Sequence, residues 1–388
     1  MRVAYLALIE LDVPNACVIH TREVAEQMAE LGNEVHLFLP MPLAGQRWKN
    51  VQHHWVRFWG FDTLRGFLFL AEACIRLAFT HFRQPFDVLY LREFERPRLL
   101  IRVCSWLKLP FFVEVNGWQL DDLKLLGAGE HQLELARRDQ QTLFSSARGI
   151  VADIEGNAVS VARYYGQSEE KIHVQDLGVN AGLFSNVDRD DARQQLGIDT
   201  DAHVVLFTGS FHPHHDLHTL IQAFALAYAR APQLILILVG DGSQRRSAEA
   251  WVREAGVEDE VRFAGLQSYH DMPIWFAVAD MFVSPLLKRK VERQNSACAT
   301  KIWEAMAAGI GVIVTDMPQT ASYEMLQEMA WVVPPEDPEA MAEAMVHMIG
   351  DEERYQRVTT QARVYVQTQR SWNKAAADIL HFISLRLQ

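Results

Sequence analysis

Three stretches in the second half of the chain place glycines and charges where they could grip a phosphate or a sugar. The first is Gly209-Ser210-Phe211-His212-Pro213-His214-His215-Asp216, which follows an apolar run and opens an amphipathic one. A glycine there lets the backbone approach a ligand closely, and free amides at a helix start favour an anion. Its histidines admit three readings: contact with a phosphate, a metal site, or a polar loop with rings in solvent. The metal reading lacks an evident carboxylate or cysteine partner. The second stretch is Val239-Gly240-Asp241-Gly242-Ser243, again between a strand pattern and a helix pattern. A plain tight turn would explain it equally well. The third is Ala299-Thr300-Lys301-Ile302-Trp303-Glu304-Ala305-Met306-Ala307-Ala308-Gly309. Lys301 and Glu304 are one helical turn apart and share a face. A lysine there can neutralise a pyrophosphate, and a carboxylate can accept hydrogen bonds from both hydroxyls of a ribose. The competing reading is a surface ion pair worth roughly 0.2–0.5 kcal/mol.

Such groups need a scaffold that presents them at strand ends. Short apolar runs alternate with amphipathic stretches along the whole chain, the pattern of an α/β protein with parallel sheets. Strands are expected at residues 3–9, 34–38, 87–90, 111–115 and 149–152. After a polar, turn-rich break at 176–191 the cycle restarts, with strands at 204–208, 234–239, 261–263, 281–284, 312–314 and 331–333. Helices are expected at 21–31, 63–82, 98–107, 131–144 and 215–229, and through most of the chain from 338 onward. The run 234–239 is unbroken apolar sequence, as expected of a central strand buried on both faces.

Bulk properties narrow the classes. A chain of 388 residues exceeds the roughly 250–300 at which one core stops growing, so two domains are expected. With 49% hydrophobic and 22% charged residues the chain reads as globular rather than disordered. A net charge of −12 opposes general binding to nucleic acid. Cys17, Cys74, Cys104 and Cys298 are scattered without metal-ligand spacing, which suggests a reduced, cytoplasmic protein. The opening MRVAYLALIELDVP reads as a buried first strand rather than a signal peptide. The most apolar stretch, residues 64–79, contains Arg65, Glu72 and Arg76. It therefore reads as a buried or half-buried helix and not a membrane span. Peripheral contact with the inner face of a membrane stays open.

Five segments in order resemble glycosyltransferase family 4, of the GT-B fold: GSFHPHHDLHTLIQAF, LILILVGDGS, VRFAGLQSYHDMPIWFAVADMFVSP, TKIWEAMAAGIGVIVTD and WVVPPEDPEAMAEAM. VIHTREVAEQMAELGNEVHLF, KIHVQDLGVNAGLF and SWNKAAADIL are looser matches to other parts of that family. The resemblance implies two Rossmann-like domains with parallel sheets facing across a cleft. It places an N-terminal acceptor domain at 1–180, a nucleotide-sugar domain at 190–370, and a last helix, 371–388, returning to the first domain. It implies retaining transfer of a sugar from a nucleotide-diphospho-sugar, UDP- or GDP-linked, to a hydroxyl of a polysaccharide, glycolipid or small glycoside. No metal and no separate cofactor would be needed.

Carried over by position, Glu304 would hold the ribose and Lys301 the diphosphate. Gly209, Ser210, His212, His215, Gly240 and Asp241 would line the donor, and Leu266 would meet the base. Ser296 stands where many members have a glutamate, with Glu292 nearby. His212 and His215 stand where many have arginine and lysine. Asn116, in FFVEVNGW, stands where a histidine often lies near the sugar. It joins Lys301 and Glu304 as a catalytic candidate, against the reading of Asn116-Gly117 as an ordinary turn. Asn15, His20 and Arg92 are acceptor-side candidates, against a helix-capping reading for the first two. The alternatives are a nucleotide-sugar epimerase and a non-catalytic relative that binds nucleotide sugar.

Overall fold

The computed structural model of the protein describes residues 1–12, 16–42, 47–57, 63–94, 96–116, 120, 123, 127–213, 215–287, 300–316 and 323–388. The chain divides into two compact units, Met1–Gly178 with Trp372–Gln388, and Val179–Ser371.

The first unit is built on seven strands: β1 (Arg2–Leu6), β2 (Glu34–Pro40), β3 (Gln52–Val56), β4 (Val88–Arg92), β5 (Phe111–Val115), β6 (Gly149–Ala152) and β7 (Ile172–Val174). They form one parallel sheet in the order β3-β2-β1-β4-β5-β6-β7. The central strands are buried on both faces and are apolar almost throughout. The edge strands β3 and β7 carry QHHWV and IHV and are only half-buried. Burial on one side demands no apolar run, so neither stood out in the sequence. The first strand stops at Leu6, short of the expected residue 9. Helices α1 (Ala16–Glu30), α2 (Thr63–Arg83) and α3 (Arg98–Leu107) cover the sheet. The last helix, Trp372–Leu387, packs Trp372, Ala376, Ile379 and Ile383 into the core beside Val3, Tyr5 and Val24. A β-carbon on Gly178 would lie 2.6 Å from the Trp372 ring, so only glycine lets the indole seat there.

The second unit repeats the plan with six strands: β8 (His203–Thr208), β9 (Leu234–Val239), β10 (Val261–Gly265), β11 (Met281–Ser284), β12 (Gly311–Thr315) and β13 (Trp331–Val333). Their order is β10-β9-β8-β11-β12-β13, again all parallel. One core lies on each side of this sheet. Asp280, just before β11, ties the unit together. It accepts from Arg193 at 2.9 Å, Arg189 at 2.5 Å and the Val204 amide at 2.7 Å.

In each sheet the connections diverge beside the first strand, between β1 and β4 and between β8 and β11. Ligands of open α/β sheets bind at the carboxyl ends of strands at such a divergence.

Candidate active site

In the second unit, three loops meet at the carboxyl ends of β8, β9 and β10 and are laced together by backbone. The Gly209 amide donates to Val239 (2.9 Å), Phe211 to Asp241 (2.8 Å), and Gly240 to Gly265 (2.8 Å). Gly240 has φ +138° and a β-carbon there would lie 1.9 Å from the Gly209 carbonyl oxygen. The glycine-aspartate-glycine turn is therefore a packing requirement as well as a turn. Asp241 itself is exposed and accepts from the Gly242 amide at 2.7 Å.

Lys301 reaches into this floor from the helix Thr300–Ala308. Its Nζ donates to the Thr208 carbonyl at 2.8 Å, lies 3.2 Å from His215 Nε2, and sits 5.0 Å from the Phe207 ring centre. His215 Nδ1 lies 2.7 Å from the Ser210 carbonyl oxygen. A carbonyl only accepts, so Nδ1 carries the proton and Nε2 accepts from the ammonium. Two of the three ammonium donors are thus committed. Gly209 has φ +146°, and a β-carbon on it would fall 2.5 Å from Lys301 Nζ. The backbone conformation strains any other residue there, and a side chain would displace the seated ammonium.

Glu304, one turn along the helix, is 9% exposed. Among the described residues its carboxylate has no hydrogen-bond or ion-pair partner. Burial pushes its acid up to about 7, against the opposing pull of Lys301. Burial pulls Lys301 down to about 8, with Glu304 opposing. The competing reading, a surface ion pair, is not what the fold makes. Instead a buried acid and a buried base both titrate near neutrality, a pattern that clusters at functional sites.

Several expectations change here. The helix expected from residue 215 begins at Leu217, capped by Asp216, whose Oδ1 accepts from the Thr219 amide at 3.2 Å. That carboxylate already occupies the helix start, so it does not offer the anion seat expected of it. His215 is buried and faces Lys301, whereas His212 and Ser210 are exposed. Leu266 is exposed beyond β10. Ser296 and Glu292 lie outside the described residues, as do His214 and Asn15.

The first unit gathers a second polar cluster, at the carboxyl ends of β1, β4, β5 and β6. Its centre is Glu114 on β5, 2% exposed. The Tyr5 hydroxyl donates to its Oε2 at 3.0 Å, Asn116 Nδ2 donates to Oε1 at 3.1 Å, and His20 Nε2 bonds Oε1 as well. Burial alone would raise the Glu114 acid; the charge and hydrogen bond of His20, then Arg92 and Asn116, outweigh it and hold the acid at about 2. Arg92, the last residue of β4, donates to Cys17 Sγ at 3.3 Å. Asp153 follows β6, accepts from Asn157 at 2.6 Å, and is raised to about 6 by burial. Among the described residues, the buried atoms of this cluster without a partner include His20 Nδ1, Arg92 Nη1, Asn116 Oδ1 and Asn157 Oδ1. Leaving such an atom unpaired costs about 1–3 kcal/mol each, so a local concentration of them marks a place for ligand hydroxyls. Sequence reading found His20, Arg92 and Asn116 but not Glu114, which joins them. The signal was present: a lone carboxylate inside the apolar run FFVEV. His20 sits inside α1, in its second turn, and not at a capping position.

Among the described residues no group of three or more His, Cys, Asp and Glu side chains is placed to hold a metal ion. No described helix is long and apolar enough to cross a membrane.

Two parallel-sheet, Rossmann-like units in one chain define the class: this is a GT-B fold. The chain is similar to sucrose-phosphate synthase from Thermosynechococcus elongatus, with a TM-score of 0.74 at 19% identity over 99% of both chains. It is also similar to the Anabaena protein HepE, solved in complex with UDP and glucose, with a TM-score of 0.71 at 18% identity over 98% of this chain and 99% of that one. Residues 188–365, nearly the whole second unit, match the family described as glycosyl transferases group 1. Among curated sequences, a D-inositol 3-phosphate glycosyltransferase from Jonesia denitrificans is 26% identical over 253 residues, covering 62% of this chain and 58% of the relative. Another from Actinosynnema mirum is 29% identical over 189 residues, covering 46% of this chain and 45% of the relative. The chain spans about half the length of these curated relatives.

Proposed function

We propose that the protein is a retaining glycosyltransferase that moves a sugar from a nucleotide-diphospho-sugar to a hydroxyl acceptor. The observation that carries this reading is the Lys301 ammonium seated against Gly209, one helical turn from the buried carboxylate of Glu304, which has no partner among the described residues. A diphosphate beside Gly209 would supply the counter-charge that burial denies the ammonium. A ribose would supply two donors for the Glu304 carboxylate. The second-unit family match supports the same reading. So do the UDP and glucose held by a protein of this fold.

In the reaction the bond from the anomeric carbon to the diphosphate oxygen breaks, a bond from that carbon to the acceptor oxygen forms, and the acceptor hydroxyl's proton passes to the departing diphosphate oxygen. Charge grows on the departing diphosphate, and Lys301 stabilises it where it grows. His215 contributes by orienting the ammonium. We assign the acceptor side to the first-unit cluster. There, among the described residues, Arg92 offers an unpaired donor and Asn116 an unpaired acceptor, a combination suited to a polyol. Asn116 orients a hydroxyl and is too weak a base to take its proton. We place no metal in the mechanism, UDP or GDP as the donor's nucleotide, and the cytoplasm as the site of action.

The test is a thermal-shift screen with UDP, GDP, ADP and their common sugars, with and without magnesium. A ligand at 100 times its dissociation constant adds about 2.7 kcal/mol of stability. Stabilisation by one nucleotide sugar, lost in Glu304→Ala, supports the donor site. An acceptor panel that includes D-inositol 3-phosphate then follows. Stabilisation without transfer to any acceptor would leave a binding protein, and full transfer by Glu304→Ala would overturn the site.

A further inference from the structure

Helix α2 is apolar on both of its faces. Phe69, Leu70, Ala73, Cys74 and Leu77 face the core. On the opposite side Leu68, Ile75, Phe79 and Phe82 repeat at helical spacing, with Phe67 at the edge of the stripe. Their exposure runs from 49% at Phe67 to 70% at Ile75. The row Glu72, Arg76, Thr80 and Arg83 separates the two apolar faces, and a helix apolar on opposite sides is ordinarily covered on both. The stripe extends onto α3 through Trp106, 66% exposed, whose ring meets Phe82 edge-on at 5.1 Å.

The rim of this patch is basic in a chain whose net charge is −12. Arg76, Arg83, Arg98, Arg102 and Lys108 lie along α2, α3 and the α3 cap; Arg76 is paired with Glu72 at 2.7 Å and Arg98 with Asp139 at 3.5 Å, which leaves Arg83, Arg102 and Lys108 to set the charge of the rim. The Arg83 guanidinium lies 4.2 Å from the Phe79 ring centre, so cation and apolar surface are interleaved. A cavity of about 730 Å³ at the end of α3, lined in part by Ser105, Lys108 and Arg148, carries the positive edge onward. Aromatic and aliphatic groups flanked by arginine and lysine suit the boundary between headgroups and acyl chains of an anionic bilayer. A second copy suits the face less well, because a two-fold contact would bring the same arginines together.

We propose that the outer face of α2, with Trp106 of α3, docks flat on an anionic lipid surface. The apolar stripe enters the interface, and Arg83, Arg102 and Lys108 meet the headgroups. This does not depend on the glycosyltransferase reading.

The test is co-sedimentation of the full chain with vesicles of phosphatidylcholine alone and with about 30 mol % phosphatidylglycerol. Binding is expected to the anionic vesicles, weakening with salt, and little to the neutral ones. Two variants, Ile75→Ser/Phe79→Ser and Arg83→Glu/Arg102→Glu, should each weaken that binding about tenfold or more. All four side chains project into solvent, so the melting temperature should hold. If the serine pair lowers it, the charge-reversal pair carries the test. Absence of binding to anionic vesicles, or unchanged binding by the charge-reversal pair, overturns the proposal. So does a dimer, seen by light scattering, that the serine pair dissociates; it would give the face to a second copy.

Discussion

Two buried glutamates carry opposite shifts, and that opposition is measurable. Glu304 is raised to about 7 by burial, so the folded state holds its proton more tightly than the unfolded chain does. Its contribution is fully present below the ordinary carboxylate range and is lost as pH rises to about 7. Glu304→Gln should therefore gain stability over the parent as pH climbs through that window, by no more than about 3 kcal/mol. Glu114 is held at about 2 in spite of its burial, because His20, Arg92 and Asn116 outweigh it. Its contribution is present above the ordinary range and lost as pH falls towards 2. Glu114→Gln should therefore lose up to about 3 kcal/mol at neutral pH, with the difference fading in acid. Denaturant melts of both variants across pH check both signs. Binding should show the first pair directly. An ionised Glu304 and a protonated Lys301 are both wanted by a nucleotide sugar, so its affinity should fall below about pH 7 and above about pH 8. Calorimetric titration should find the acid limb missing in Glu304→Gln. Lys301→Ala should cost about 10²–10³ in kcat, the scale of a lost transition-state donor.

At the scale of elements, the loops after β8 and β9 act as one part. Gly240 matters because its missing side chain lets the Gly209 carbonyl pass, and Gly209 matters because its missing side chain lets Lys301 sit. Gly240→Ala should push the two loops apart and weaken nucleotide binding strongly, with the second-unit core intact. Thermal-shift response to the nucleotide, set beside the far-ultraviolet dichroism of the same variant, separates those effects. A Gly240→Ala protein that binds like the parent would mean that the loop packing does not shape the donor site. The last helix is a comparable part in the first unit. Removing residues 372–388 would uncover Val3, Tyr5 and Val24, and loss of the folded first unit is the expected outcome in hydrogen exchange.

At the scale of the whole molecule, two units with separate cores predict heat unfolding that is not two-state. A nucleotide sugar should raise the transition that belongs to Val179–Ser371, seen as a selective shift of one calorimetric peak. Equal movement of every peak would show the units to unfold together.

The alternation of strands and helices and the parallel sheets were legible from the chain alone. Runs such as LILILV and GVIVT can satisfy their burial only as inner strands. The edge strands QHHWV and IHV were not legible, because an edge relaxes that demand. At the second-unit site the residues to watch, Gly209, Lys301 and Glu304, were readable from type and spacing. Their state was not. Spacing says that Lys301 and Glu304 share a helix face; only the packing of three loops and a helix takes both out of water, leaves the acid without a partner among the described residues, and sets His215 against the lysine. Glu114 shows the same division, since its partners Tyr5, His20 and Asn116 come from separate segments that only the folded sheet brings within hydrogen-bonding distance. Sequence determined which groups the chain owns and which strand ends could present them. Tertiary structure decided their protonation and their partners, because desolvation and hydrogen bonding depend on what lies nearby in space rather than along the chain.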